Sequence, residues 1–273
     1  TVGGIFNVGT GQARTWNDFR AAVFASRTPS LNFVWADRSG DIGWQMAGIT
    51  PLRRGWPGLL PVPGDGRFEW QGFIPPPELP SLRNPAPGFI ATANEDNLPA
   101  GYPYQVGYIW DAPFRVQRIA EVLGAKPAMD LADMIALQQD ELSIPARRLV
   151  PLLKGLHPAD ALVRECLDLL QSWDFKMAAG SAAAAVYQAW QRALVEAANS
   201  RLFPPELADS VPGRSLPSLL ARLASADPRL APGGPGVRDA LLIETLGQAA
   251  GSLKELFGPD IRTWRYGDEK FHR

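Results

Sequence analysis

Alternation of apolar and polar positions is clearest in two short stretches of the chain. In Asn32-Phe-Val-Trp-Ala-Asp37, Phe33 and Trp35 share one side of an extended backbone, and in Asp41-Ile-Gly-Trp-Gln-Met46, Ile42, Trp44 and Met46 do the same. Between them Arg38-Ser39-Gly40 is turn chemistry, so the pair predicts a β-hairpin. Further strands are expected around residues 68–70 and 89–93. A helix is expected before the hairpin. Thr15 followed three positions later by Asp18 reads as a capping box, with Phe19, Ala22 and Val23 at helical spacing behind it, and Pro29 lies beyond as a stop.

Past Trp110 the periodicity becomes helical. Asp111 reads as a cap, Pro113 falls in the first turn, Val116, Ile119, Ala120 and Leu123 fall on one face, and Gly124 and Pro127 end the element. Asp130 then reads as the cap of a helix with Leu131, Met134 and Ile135 inward. Helices follow over residues 145–155, 159–173, 181–200 and 236–256, separated by Pro- and Gly-rich loops such as Ala231-Pro-Gly-Gly-Pro-Gly236. Twelve of the 26 prolines lie from Pro51 to Pro103, so the chain changes character near residues 110–130. The expected organisation is α+β, with a β-rich part over residues 1–125 and a mainly helical part over 126–273.

Composition narrows the function. With 27 Lys and Arg against 28 Asp and Glu, the 273-residue chain carries a formal charge of −1, which argues against nucleic acid or an anionic membrane surface as a partner. No apolar run approaches the roughly 20 residues that a spanning helix needs. The lone Cys166 cannot form an internal disulfide and reads as a core residue. His157 and His272 have no second ligand at zinc spacing. Trp35, Trp44, Trp56 and Trp70 read as core aromatics rather than a ligand platform, and Asp37 and Asp41 as turn formers rather than an acid–base pair.

Four segments go further. Asn32-Phe-Val-Trp-Ala-Asp-Arg-Ser-Gly-Asp-Ile-Gly-Trp44, Leu60-Pro-Val-Pro-Gly-Asp-Gly-Arg-Phe-Glu-Trp70, Gly88-Phe-Ile-Ala-Thr-Ala-Asn-Glu95 and Gly258-Pro-Asp-Ile-Arg-Thr-Trp-Arg-Tyr-Gly267 resemble, in that order, motifs of the penicillin acylase family. The resemblance implies an N-terminal nucleophile hydrolase with an αββα core of antiparallel strands, of which this chain is an internal part of the large chain. Such enzymes hydrolyse amides such as penicillins, cephalosporin side chains or acyl-homoserine lactones through an acyl-enzyme. The α-amino group of the nucleophile acts as its base.

Two site residues follow from the match. Asn94, in Ala91-Thr-Ala-Asn94, resembles the family's Asn whose amide donates to the oxyanion, and it is expected at the end of the 89–93 strand. Arg115, in Asp111-Ala-Pro-Phe-Arg115, resembles the family's Arg beside the nucleophile, with a role in orientation and electrostatics. As a merely structural cation in the first turn of a helix it fits the dipole poorly.

The nucleophile is expected upstream of residue 1, because Thr1-Val-Gly-Gly4 does not match the family's opening, so Thr1 is not the expected nucleophile. The chemistry requires no cofactor. The family's structural calcium draws on an acidic residue shortly before the Arg, where this chain reads Tyr102-Pro-Tyr-Gln-Val106. Implied partners are a small amide substrate and the remaining parts of the same precursor, its small chain included. The implied location is periplasmic or extracellular. The alternative reading is a non-catalytic ligand-binding module with a Trp-rich β face.

Overall fold

The computed structural model describes residues 6–208 and 216–272. Thr1 and the three residues after it lie outside these. The chain divides into two compact units, the break in sequence falling between Pro127 and Ala128.

In the first unit a short helix α1 (Phe6–Gln12), which the apolar pattern did not reveal, precedes α2 (Trp16–Val23). The capping box at the start of α2 forms as expected: Asp18 N–H donates to Thr15 Oγ1 and Thr15 N–H to Asp18 Oδ2, both at 3.1 Å. Strands β1 (Leu31–Ala36) and β2 (Ile42–Ala47) make the antiparallel hairpin, in the register Phe33↔Gln45 and Trp35↔Gly43. Asp37 closes its turn by accepting from the backbone of Ser39 at 2.8 Å and of Asp41 at 3.1 Å. Asp41 in turn holds Arg83 at 2.5 Å and Asn84 at 2.8 Å. These bonds use both carboxylates as turn and strand fasteners and hold them below the usual carboxylate range, Asp37 chiefly through the Ser39 hydroxyl and Asp41 chiefly through Arg83.

Strand β3 (Pro51–Arg53) pairs with β4 (Trp70–Phe73), and β5 (Ser81–Arg83) adds to β2, giving a β1-β2-β5 sheet and a separate two-stranded ribbon. The strand expected at 68–70 thus begins at its last residue, and Trp70 lies exposed rather than in a core. Residues 89–93 form no strand: among the described residues none supplies a backbone ladder to them, and extended backbone without a paired neighbour is not a strand.

Helix α2 lies on one face of the hairpin, where Trp16, Phe19, Val23 and Ala47 form a buried cluster flanked by Phe33 and Trp35. Gly43 is the closest approach, since a Cβ there would overlap three atoms of the Trp16 ring. Gly43→Ala is therefore expected to destabilise this unit by about 1–3 kcal/mol. Gly64→Ala, with nothing within 4 Å of the added carbon, serves as the neutral reference. Equal urea midpoints for the two variants would show that Trp16 moves aside freely.

Helix α3 (Phe114–Gly124) ends the unit. Pro113, not Asp111, occupies its cap position, and no side chain caps the helix; Asp111 is engaged elsewhere.

The second unit contains α4 (Leu131–Gln138), α5 (Ile144–Leu149), α6 (Ala161–Gln171), α7 (Ala182–Leu202), α8 (Pro205–Ala208), α9 (Leu216–Ser225) and α10 (Pro235–Phe257). Asp130 caps α4 through a reciprocal box with Asp133. Its expected inward face is not buried: Leu131, Met134 and Ile135 are all exposed, and no residue of the helix is buried. The helix expected over 145–155 tightens into a 3₁₀ turn at Val150–Leu153, because Pro151 has no N–H to continue the α ladder. Helices α8 and α9, which the apolar pattern does not reveal, carry Pro205 and Pro217 in their first turns, where proline is favourable.

The core lies between α7 and α10, around the fully buried Trp190, Leu194, Leu241, Leu242 and Leu246. Cys166 on α6 is buried, and its thiol is pushed up to about 12 by that burial, with the Glu165 and Asp160 carboxylates adding to the effect. No helix among the described residues is long and apolar enough to cross a membrane.

Candidate active site

Asn94 and Arg115, 21 positions apart in sequence, are brought together by a turn rather than a strand end. Asn94 adopts φ 65°, a left-handed conformation that asparagine tolerates better than most residues. Two bonds fix the turn around it. The backbone N–H of Ala93 donates to Glu95 Oε2 at 2.6 Å, so the buried carboxylate folds back across Asn94, and Asp111 N–H donates to the Asn94 carbonyl at 2.8 Å.

From the first turn of α3, Arg115 directs Nη2 at three oxygens. It lies 2.7 Å from the Ala93 carbonyl, 2.9 Å from Asn94 Oδ1 and 2.7 Å from Asp111 Oδ2. The Asp111 pair is exposed, with 58% and 62% of the two side chains accessible, so it adds little stability. Its effect is to aim the guanidinium.

The chemistry settles which way the Asn94 amide points. A guanidinium is donor only, so the amide atom facing it must be the oxygen. Asn94 Nδ2 is thereby turned away from Arg115, and it donates to none of the described residues. The cluster leaves one oriented, unspent amide donor on a turn clamped from both sides. Sequence reasoning located Asn94 and Arg115 but missed Glu95 and Asp111 as their supports. The i,i+4 spacing of Asp111 and Arg115 was a usable signal; nothing in the sequence marked Glu95.

Tyr102 and Tyr104 donate their hydroxyls to Glu78, to its carbonyl and its carboxylate respectively. The carboxylates of Glu95, Asp96 and Asp111 accept from Ala93 N–H, Leu98 N–H and Arg115 respectively. Calcium needs six to eight oxygen ligands. Among the described residues no group of three or more His, Cys, Asp or Glu is placed to hold a metal ion.

The sequence model of the penicillin amidase family matches residues 7–273. The chain belongs to this family. It is 32% identical over 267 residues to the acyl-homoserine lactone acylase QuiP of Pseudomonas fluorescens, covering 88% of this chain and 33% of that protein. It is 37% identical over 172 residues to the penicillin acylase 2 proenzyme of a Pseudomonas species, covering 62% of this chain and 22% of the proenzyme. The fold matches the thermostable penicillin G acylase from Alcaligenes faecalis with a TM-score of 0.73 at 20% identity, over 95% of this chain and 53% of that one. The α+β reading of the sequence agrees with that likeness. The chain spans about a third of the length of the first of these relatives.

Proposed function

We propose that this chain is part of an amidohydrolase that cleaves acyl-amide bonds of penicillin-like, cephalosporin-like or N-acyl-homoserine-lactone substrates, and that it supplies an oxyanion donor. The observation that carries the proposal is the Arg115–Asn94 Oδ1 bond, which leaves Nδ2 free and directed. Relatives named as acylases acting on related substrates support it.

In this reading a nucleophile at the N-terminus of the large chain, outside residues 1–273, attacks the acyl carbon with its own α-amine taking the proton. The carbonyl oxygen becomes an oxyanion, to which Asn94 Nδ2 donates. Collapse breaks the C–N bond, the proton passes to the departing amine, and water then hydrolyses the ester. Arg115 keeps the donor aimed, and its positive charge favours the neutral, basic form of a nearby amine. No cofactor takes part. The partners are the amide substrate and the rest of the same precursor, and any structural calcium would rely on ligands outside this chain. The working location is the periplasm or the exterior.

Acid quenching of the parent protein during turnover of a phenylacetyl amide or an N-acyl-homoserine lactone, followed by intact-mass and peptide analysis, tests this. An acyl ester on an N-terminal Ser, Thr or Cys outside residues 1–273 is expected. An ester on Thr1, or turnover with no trapped ester under any quench, contradicts it.

A further inference from the structure

The hairpin segment Asn32–Trp44 begins and ends on two residues that meet in the fold and that have no part in the chemistry so far. In the β1–β2 register Asn32 pairs with Met46 and Val34 with Trp44, so Asn32 and Trp44 are diagonal neighbours on one face. Phe33 and Trp35, which pack on the α2 cluster, take the other face. The Trp44 indole N–H donates to Asn32 Oδ1 at 2.8 Å. With only 3% of Trp44 exposed, packing fixes the ring that holds this amide.

A second donor reaches the same oxygen. Asn97 Nδ2, 65 positions on in sequence, donates to Asn32 Oδ1 at 3.3 Å. The chemistry orients both amides: an indole N–H is donor only, so it faces the Asn32 oxygen, and that oxygen in turn requires the Asn97 nitrogen. Asn97 lies three positions after Asn94, in the segment folded by the bonds of Ala93 N–H to Glu95 and of Leu98 N–H to Asp96. The turn that carries Asn94 is therefore held at two points. Arg115 and Asp111 grip it from the α3 side, through the Ala93 and Asn94 carbonyls and Asn94 Oδ1. The Asn97–Asn32–Trp44 relay ties it to the sheet. A turn gripped on one side alone can pivot, and a small displacement of a catalytic donor costs rate.

We propose that Asn32 is a positioning residue for the oxyanion donor: its amide oxygen, fixed by Trp44, holds Asn97 and with it the turn that aims Asn94 Nδ2. This role rests on the acyl-transfer reading of Asn94, and Asn32 acts through Asn97 rather than on the reacting atoms.

The test uses the parent protein with Asn32→Leu, which removes the acceptor, Asn32→Asp, which keeps one, and Asn97→Ala, which breaks the relay without touching the buried ring. Two quantities are measured. One is kcat and KM for the phenylacetyl amide or N-acyl-homoserine lactone that the parent turns over, on the pH plateau. The other is hydrogen exchange, by mass spectrometry, of the peptide over residues 93–111, which includes the Asp111 N–H bonded to the Asn94 carbonyl. Asn32→Leu and Asn97→Ala are each expected to lower kcat about tenfold at nearly constant KM and to speed exchange of the peptide. Their combination should be no slower than either alone, Asn32→Asp should recover most of kcat, and neither change should lower kcat further in an Asn94→Ala background. Unchanged exchange in Asn32→Leu and Asn97→Ala overturns the proposal whatever kcat does. So does a kcat that stays normal in both while Asn94→Ala is slow, or a loss that persists in full in the Asn94→Ala background, which marks a merely structural residue. Faster exchange in both variants together with a normal kcat in Asn94→Ala supports the relay and sinks the oxyanion reading instead.

Discussion

Replacing Asn94 by alanine in the parent protein is expected to lower kcat by about 100- to 1000-fold with little change in KM, a loss of roughly 3–4 kcal/mol of barrier stabilisation. The oxyanion exists only after attack, so a donor aimed at it stabilises the transition state and leaves substrate binding nearly untouched. Because the backbone at Asn94 is left-handed, with φ 65°, Asn94→Gly is the companion variant. Glycine suits that conformation and also lacks the amide, so it separates loss of the donor from strain in the turn. Both variants should be equally slow. Arg115→Ala is expected to be impaired as well, since it releases Asn94 Oδ1 and lets the amide rotate. Adding Asn94→Ala to Arg115→Ala should then cost much less than it does alone, because in the proposed mechanism Arg115 keeps the Asn94 donor aimed. A kcat within about threefold of the original with a climbing KM would mark Asn94 as a substrate-binding or turn residue.

The second large effect concerns stability. Trp190→Ala is expected to destabilise the helical unit by about 3–5 kcal/mol, among the largest costs that a core truncation carries. Trp190 is fully buried where α7 packs on α10, and its indole N–H donates to the Leu242 carbonyl at 3.2 Å and to Thr245 Oγ1 at 3.1 Å. Trp190→Phe keeps most of the apolar volume. It also leaves Thr245 satisfied through its own 2.8 Å bond to the Leu241 carbonyl, so it should cost clearly less than alanine. Urea unfolding followed by circular dichroism measures both. With two compact units the transition can be biphasic, and the shift should appear in one phase only. Equal midpoints for alanine and the unsubstituted chain would mean that the interior rearranges around the hole.

What the sequence revealed and what it hid follow a physical division. The α2 capping box, the hairpin and the Asp130 cap are local: each needs only residues within a few positions of one another, and each formed where the pattern placed it. The misreadings concern groups whose state depends on distant chain. Residues 89–93 have a strand-like sequence but form no ladder with the described residues. Leu131, Met134 and Ile135 have a buried-face spacing but no covering surface among the described residues, and Asp111 is drawn from the cap position to Arg115. The candidate site was legible because of family resemblance, which marked Asn94 and Arg115. Its geometry was not: the Arg115 clamp needs tertiary folding, and the Glu95 clamp, though local, forms in a left-handed turn that no pattern in the sequence marks.

The single thiol of this chain gives it an internal clock. At pH 8 a group with a pKa near 12 is ionised in on the order of one molecule in ten thousand, so folded Cys166 is nearly inert to alkylating reagents and to oxidation. Modification therefore requires an opening that exposes Cys166, and its rate, compared with that of an exposed thiol, reads out how often such openings occur. For the organism the same burial means that oxidant reaches this sulfur only in molecules that have already begun to unfold, so sulfenic acid here would record a lost fold rather than a signal.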